Sequence, residues 1–168
     1  MGGNSDVEKH RYRLDEARGY SAIWELVKDT VRTSLAKHRV GMMLFLDDLP
    51  FQLGAYHPVG TNNIILNRRL VQIVEASTKS QRLVNAFVYI LLLHEYIHAL
   101  GYSRETEARQ LVYRVSEKSF GADHITSKLA RTSPWALLKD VPLSPIDAPK
   151  QAMEIVKDFE KSNQKYII

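Results

Sequence analysis

Apolar residues recur at helical spacing through Ile23, Leu26, Val27, Val31 and Leu35. That periodicity predicts a helix from Ser21, which can cap it, to about His38. Lys37, His38 and Arg39 would complement the dipole in its last turn, and Gly41 would stop it. Met42 to Leu46 is a short apolar run, a strand or buried connection, broken by Asp47, Asp48 and Pro50. Phe51 to Tyr56 and Asn63 to Leu66 read as two short strands joined by turn residues, which predicts a β-ribbon. Asn67 can cap a helix from Arg68 to about Ala76, and Ser80 a longer one to about Leu100. Gly101 stands where a left-handed residue closes such a helix. Ser103 opens a further helix over Arg104 to Ser119, closed by Gly121, and Asp123 a short one to about Arg131. Pro134, Pro142, Pro145 and Pro149 mark a linker before a last helix from Lys150 to Lys161.

The expected fold is therefore α+β and mainly helical, with a small antiparallel ribbon packed on one central helix. The pattern divides the chain into a loose leader over residues 1–20, a domain over 21–131, and a Pro-rich linker with a terminal helix over 132–168. The 168 residues suit one domain able to bury a core without staples. There is no cysteine, so thiolate ligands and disulfides are excluded and any metal must be held by His, Asp or Glu. A reducing, cytoplasmic setting fits that composition. The polar start has no apolar core of a secretory signal, and the greasiest stretch, Leu83 to Leu93, is about half a bilayer span. No membrane association is expected. The net charge of +4 is spread along the chain without a basic stripe or interleaved aromatics, which argues against nucleic acid.

One constellation changes the picture. His94 and His98 are four apart on the long apolar helix, so both imidazoles share a face one turn apart. Two such nitrogens can share a tetrahedral zinc ion, each about 2.0–2.1 Å from it. Glu95 beside them is the residue that, in a His-Glu-x-x-His motif, takes a proton from a water and delivers it to a leaving amine. Burying His and Glu in so apolar a helix costs several kcal/mol unless something compensates, and a metal does. A third histidine three residues after Gly101, the mark of one protease subclass, is missing, because that position is Arg104.

The third ligand must come from elsewhere. On the helix from Arg104, the apolar face set by Ala108, Leu111, Val112 and Val115 carries Glu105 at its edge, Glu107 to the side and Glu117 opposite. Phase favours Glu105, although acids in a first helical turn are also explained by the dipole alone. His124, at the start of a helix, is held neutral there, and neutral imidazole is the ligand form.

These residues resemble the minigluzincins, very small archaeal and bacterial zinc metallopeptidases of the gluzincin group. The resemblance rests on His94-Glu95-Tyr96-Ile97-His98-Ala99-Leu100-Gly101, the upstream ribbon, the following helix and Phe120 to His124, and it spans roughly Ile23 to Arg131. It implies a Zn2+ cofactor and a peptide or protein substrate. Thermolysin-like gluzincins use a glutamate as third ligand, whereas the small family uses a histidine, which implies His94, His98 and His124 as the set. It also implies that an upper strand takes the substrate by β-addition, here at Gly54, Ala55 and Tyr56. The chain departs from the minimal family in its leader and in everything after Arg131. C-terminal segments of the family can block the cleft. Pro134 to Ile168 would then act as a latency element or a route to oligomers, with Asp147 or Glu154 near the zinc. The simpler alternative is a packing helix with Met153, Val156 and Phe159 on the core. The competing functional reading is a zinc-bearing peptide- or partner-binding module without peptidase activity.

Overall fold

The computed structural model describes residues 3–143 and 149–161. The fold is α+β and mainly helical. In chain order it contains α1 (Gly3–Glu16), α2 (Tyr20–Leu35), β1 (Met43–Asp47), β2 (Ala55–Tyr56) and β3 (Asn63–Asn67). There follow α3 (Arg68–Thr78), α4 (Gln81–Ala99), α5 (Glu105–Phe120), α6 (Ile125–Arg131), a 3-10 turn (Pro134–Leu138) and β4 (Glu154–Ile155). No described helix is long and apolar enough to cross a membrane.

Helix α4 is the centre. Residues 84 to 93 are all buried, so it is apolar on every side rather than along one stripe. Ser80 caps it by accepting from the Leu83 N–H. Trp24 of α2 packs edge-on against Tyr96, with ring centroids 4.8 Å apart. The Tyr96 hydroxyl holds the Arg39 backbone in both directions, accepting from its N–H and donating to its carbonyl. Asn67 caps α3 by accepting from Arg69, as its position predicts.

The sheet is a mixed one of four strands, in the order β2-β3-β1-β4, rather than an antiparallel ribbon. β2 does pair antiparallel with β3, Ala55 opposite Leu66. β1 and β3 are parallel, Met43 opposite Asn63 through Asp47 opposite Asn67. Ile64, Ile65 and Leu66 are buried in succession, the pattern of a strand covered on both faces.

Four expectations are corrected. The leader, expected to be mobile or loosely helical, is a helix, α1, and it is docked by polar contacts that periodicity cannot reveal. Asn85 of α4 donates to the carbonyls of Leu14 and Ala17, and Arg11 donates to the Phe120 carbonyl. Helix α2 stops at Ala36, a left-handed residue, before His38 and Gly41. The helix caps fall one or two residues from those expected: Gly19 for α2, Arg104 for α5 and His124 itself for α6. The terminal helix is instead extended chain, because the free edge of β1 offers backbone partners. Phe45 pairs with Ile155, and the Val156 N–H donates to the Leu44 carbonyl. Phe159 does cover the core, stacked on Trp24 at 4.9 Å. Met153 is half exposed. Glu154 lies on the sheet edge opposite β2, its carboxylate 3.7 Å from Arg68, and so turns away from the cleft described next. Asp147 lies outside the described residues.

Candidate metal centre

The chain reverses direction after α4 at Gly101, whose φ of 108° suits glycine. The reversal lays α5 back along α4 and brings Glu105 over the two histidines. The His98 and His94 Nε2 atoms are 3.1 Å apart. Glu105 Oε1 is 3.1 Å from His94 Nε2 and 2.6 Å from His98 Nε2. Among the described residues this trio is the one group of His, Asp or Glu able to hold a metal ion.

The protonation pattern fits a cation. His98 Nδ1 lies 2.8 Å from the Tyr102 carbonyl, which can only accept, so Nδ1 carries the proton. His98 Nε2 then faces a carboxylate oxygen 2.6 Å away, a contact that needs either a second ring proton or a shared cation between the two atoms. Burial first, and the neighbouring charges of His98 and Arg109, hold the His94 pKa below its usual value despite Glu105. For the Glu105 carboxyl, burial acts upward, but the two imidazole hydrogen bonds outweigh it and leave its pKa lowered. An ion pair would have raised His94. Neutral His94 beside ionised Glu105 is the ligand form of both. Ligands on a tetrahedral zinc stand roughly 3.3–3.5 Å apart, so the two 3.1 Å pairs have to open slightly and the 2.6 Å pair of His98 and Glu105 by rather more to admit one. The Tyr102 carbonyl is the outer partner that fixes the His98 tautomer.

Glu95 is not part of the trio and lines the cleft together with His94 and Glu105. It is buried, and burial together with the Glu105 charge raises its pKa to about 8, partly offset by the His57 backbone N–H. A cation on the cluster would act in the opposite sense. His57 thus contributes through its backbone, while its ring is bonded to the Asn63 carbonyl.

The cleft has a volume of about 520 Å³ and runs between α4, α5, the end of α6 and the residues leading into β2. Gly54 and Ala55 line it, whereas Tyr56 follows on the same edge strand outside the lining. At Gly54 a Cβ would stand 2.8 Å from the tip of Leu91 and 2.9 Å from the tip of Trp135, so a larger residue there would have to push these side chains aside. Trp135 is fixed there by its indole N–H, which donates to the Phe51 carbonyl. Pro134 and Trp135 thus wall the cleft, a role that no sequence signal marked.

The structure does not bring His124 to the cluster. Its Nδ1 accepts from the Thr126 N–H as the cap of α6, and its ring stacks on Phe120 at 5.0 Å. Glu105, favoured by helical phase, takes the third place. If a divalent ion occupies the trio, Glu105→Ala is expected to weaken its binding at least as much as loss of an outer-shell partner does, about 10–100-fold, and His124→Ala to leave it unchanged. Competition titration against a chelator would read both, and the reverse order would move the site.

Burial, then the charge of Arg11, lowers the His124 pKa to about 4. The unfolded imidazole, near 6.5, takes its proton first, so stability is full above pH 6.5 and falls as pH drops towards 4. Allowing for solvent screening, the loss is on the order of 1–2 kcal/mol. Urea titrations between pH 7 and 4.5 should show a flatter profile for His124→Asn, which keeps the cap but does not titrate. An unchanged slope would refute the assignment.

Comparison with known protein families, curated proteins and solved structures finds no match.

Proposed function

We propose that the chain is a zinc-dependent metalloendopeptidase. The observation that carries this is the convergence of His94, His98 and Glu105 on one point, with Glu95 on the wall of the cleft in front of it. The sequence resemblance to minigluzincins supports the same reading. The third ligand then follows the thermolysin-like pattern, a glutamate on the helix after the motif. Zinc rather than a harder cation suits two imidazoles and one carboxylate.

Zinc held there supplies Lewis acidity toward a water and a substrate carbonyl. The chain does the rest. Glu95, not a ligand, takes the proton of the attacking water and passes it to the leaving amine nitrogen. The His57 N–H holds the carboxylate in place for both transfers. The edge at Gly54 and Ala55 offers backbone groups on which an extended peptide can align.

The test is to load the folded protein with zinc, confirm one ion per chain, and incubate it with unfolded casein and a peptide library read by mass spectrometry. Internal cleavage that stops on chelation and returns with zinc is expected. Zinc binding with no cleavage of any peptide would replace this reading with a zinc-bearing peptide- or partner-binding module.

A further inference from the structure

Arg109 is the single lysine or arginine among the residues lining the cleft. It stands one turn after Glu105 on α5, and its Nε is 3.5 Å from Glu105 Oε2, the oxygen turned away from the histidines. That separation is long for a hydrogen bond, and among the described residues Arg109 has no other hydrogen bond or ion pair. The contact engages Nε alone and leaves the two terminal nitrogens as an open fork, the arrangement that grips a carboxylate with two parallel N–H donors. A divalent ion on the cluster draws the charge of Glu105 toward itself and loosens its hold on Arg109. With that ion in place the cleft is net positive despite Glu95 and Glu105, and so favours an anionic group.

We propose, on the basis of the peptidase reading above, that Arg109 makes the site selective for peptides that present a carboxylate close to the scissile bond. Peptide residues advance about 3.3–3.6 Å each. Arg109 touches a metal-ligating side chain, so the group it meets belongs to a residue adjacent to the bond cut. The carboxylate has two sources, an acidic side chain or the free C-terminus of the substrate. The first makes the enzyme an endopeptidase with acidic preference, and the second makes it trim chain ends.

The probes are acetylated alanine-rich octapeptides with one glutamate moved through the positions, its glutamine twins, and versions with free and amidated C-termini. Binding is measured by calorimetry to the zinc-loaded Glu95→Gln protein, so that affinity is read whether or not cleavage occurs. A charge-assisted contact predicts about tenfold weaker binding of the neutral twin. Loss on Glu-to-Gln exchange assigns the side chain, and loss on amidation assigns the terminus. In Arg109→Gln the ratio should fall to near one, and in Arg109→Glu it should invert in favour of the neutral twin. Equal binding of charged and neutral twins to the parent, or a ratio that survives Arg109→Gln, overturns the proposal while leaving the peptidase reading intact. A loss of zinc affinity in Arg109→Gln that accounts for the whole effect also overturns it, since Arg109 would then act through Glu105. If no peptide binds at all, the peptidase reading fails and this inference fails with it.

Discussion

Glu95→Gln is expected to lower peptide hydrolysis about 10²–10⁴-fold, the usual worth of a positioned general base, while zinc stoichiometry stays at one per chain. The reasoning follows from placement. Glu95 lies next to a metal ligand in sequence, but about 100° round the helix from it, and is not part of the ligand trio. Glutamine keeps the volume and can still accept from the His57 N–H, but it cannot carry a proton between water and amine. Glu95→Asp keeps the chemistry and withdraws it by one methylene, so it should fall between the two. Single-turnover rates with calorimetric zinc titrations would check this. A Glu95→Gln protein that retains most of its rate would remove Glu95 from the chemistry.

Glu160→Ala is expected to destabilise the fold by about 3–5 kcal/mol, the range for breaking one side of a buried ion pair. Lys28 of α2 and Glu160 are both essentially sealed from solvent, with Nζ 2.6 Å from Oε1. The second oxygen, Oε2, accepts the backbone N–H of Met42, the residue just before β1. Removing the carboxylate strips the Met42 N–H of its acceptor and takes from the Lys28 ammonium its sealed counter-charge, Glu25 at 3.1 Å being partly exposed. The double change Lys28→Met with Glu160→Leu discards both charges together and should recover most of the loss. Denaturant titrations of the three proteins decide it. A shift below about 1 kcal/mol for Glu160→Ala would show that the pair is not holding the tail.

What the sequence made legible was local. The caps at Asn67 and Ser80, the stop at Gly121 and the extent of α4 follow from residues a few positions apart, and they stand. The pairing of His94 with His98 is of the same kind. Glu105 was nearly legible, because helical phase placed it at the edge of the apolar face and the Gly101 reversal then set that edge over α4. His124 was preferred from resemblance. The reasoning that it is kept neutral holds, although burial against Phe120 is the main cause and the helix terminus is not. The illegible parts depend on partners far along the chain. Nothing near residue 10 announces that His10 and Arg11 bond to carbonyls at Ser119 and Phe120. The spacing of Met153, Val156 and Phe159 suits a helix, and the open edge of β1, more than a hundred residues away, makes it a strand.

That short strand has a consequence beyond stability. A sheet ordinarily offers two borders to any extended chain that meets it. Among the described residues β4 occupies one of them, and the border that remains belongs to β2, continuous with the lip of the cleft at Gly54 and Ala55. The C-terminal segment therefore gives the sheet a single receiving side. On the peptidase proposal, a substrate that paired as a strand would be led to the histidine cluster, since the far border is already taken by β4.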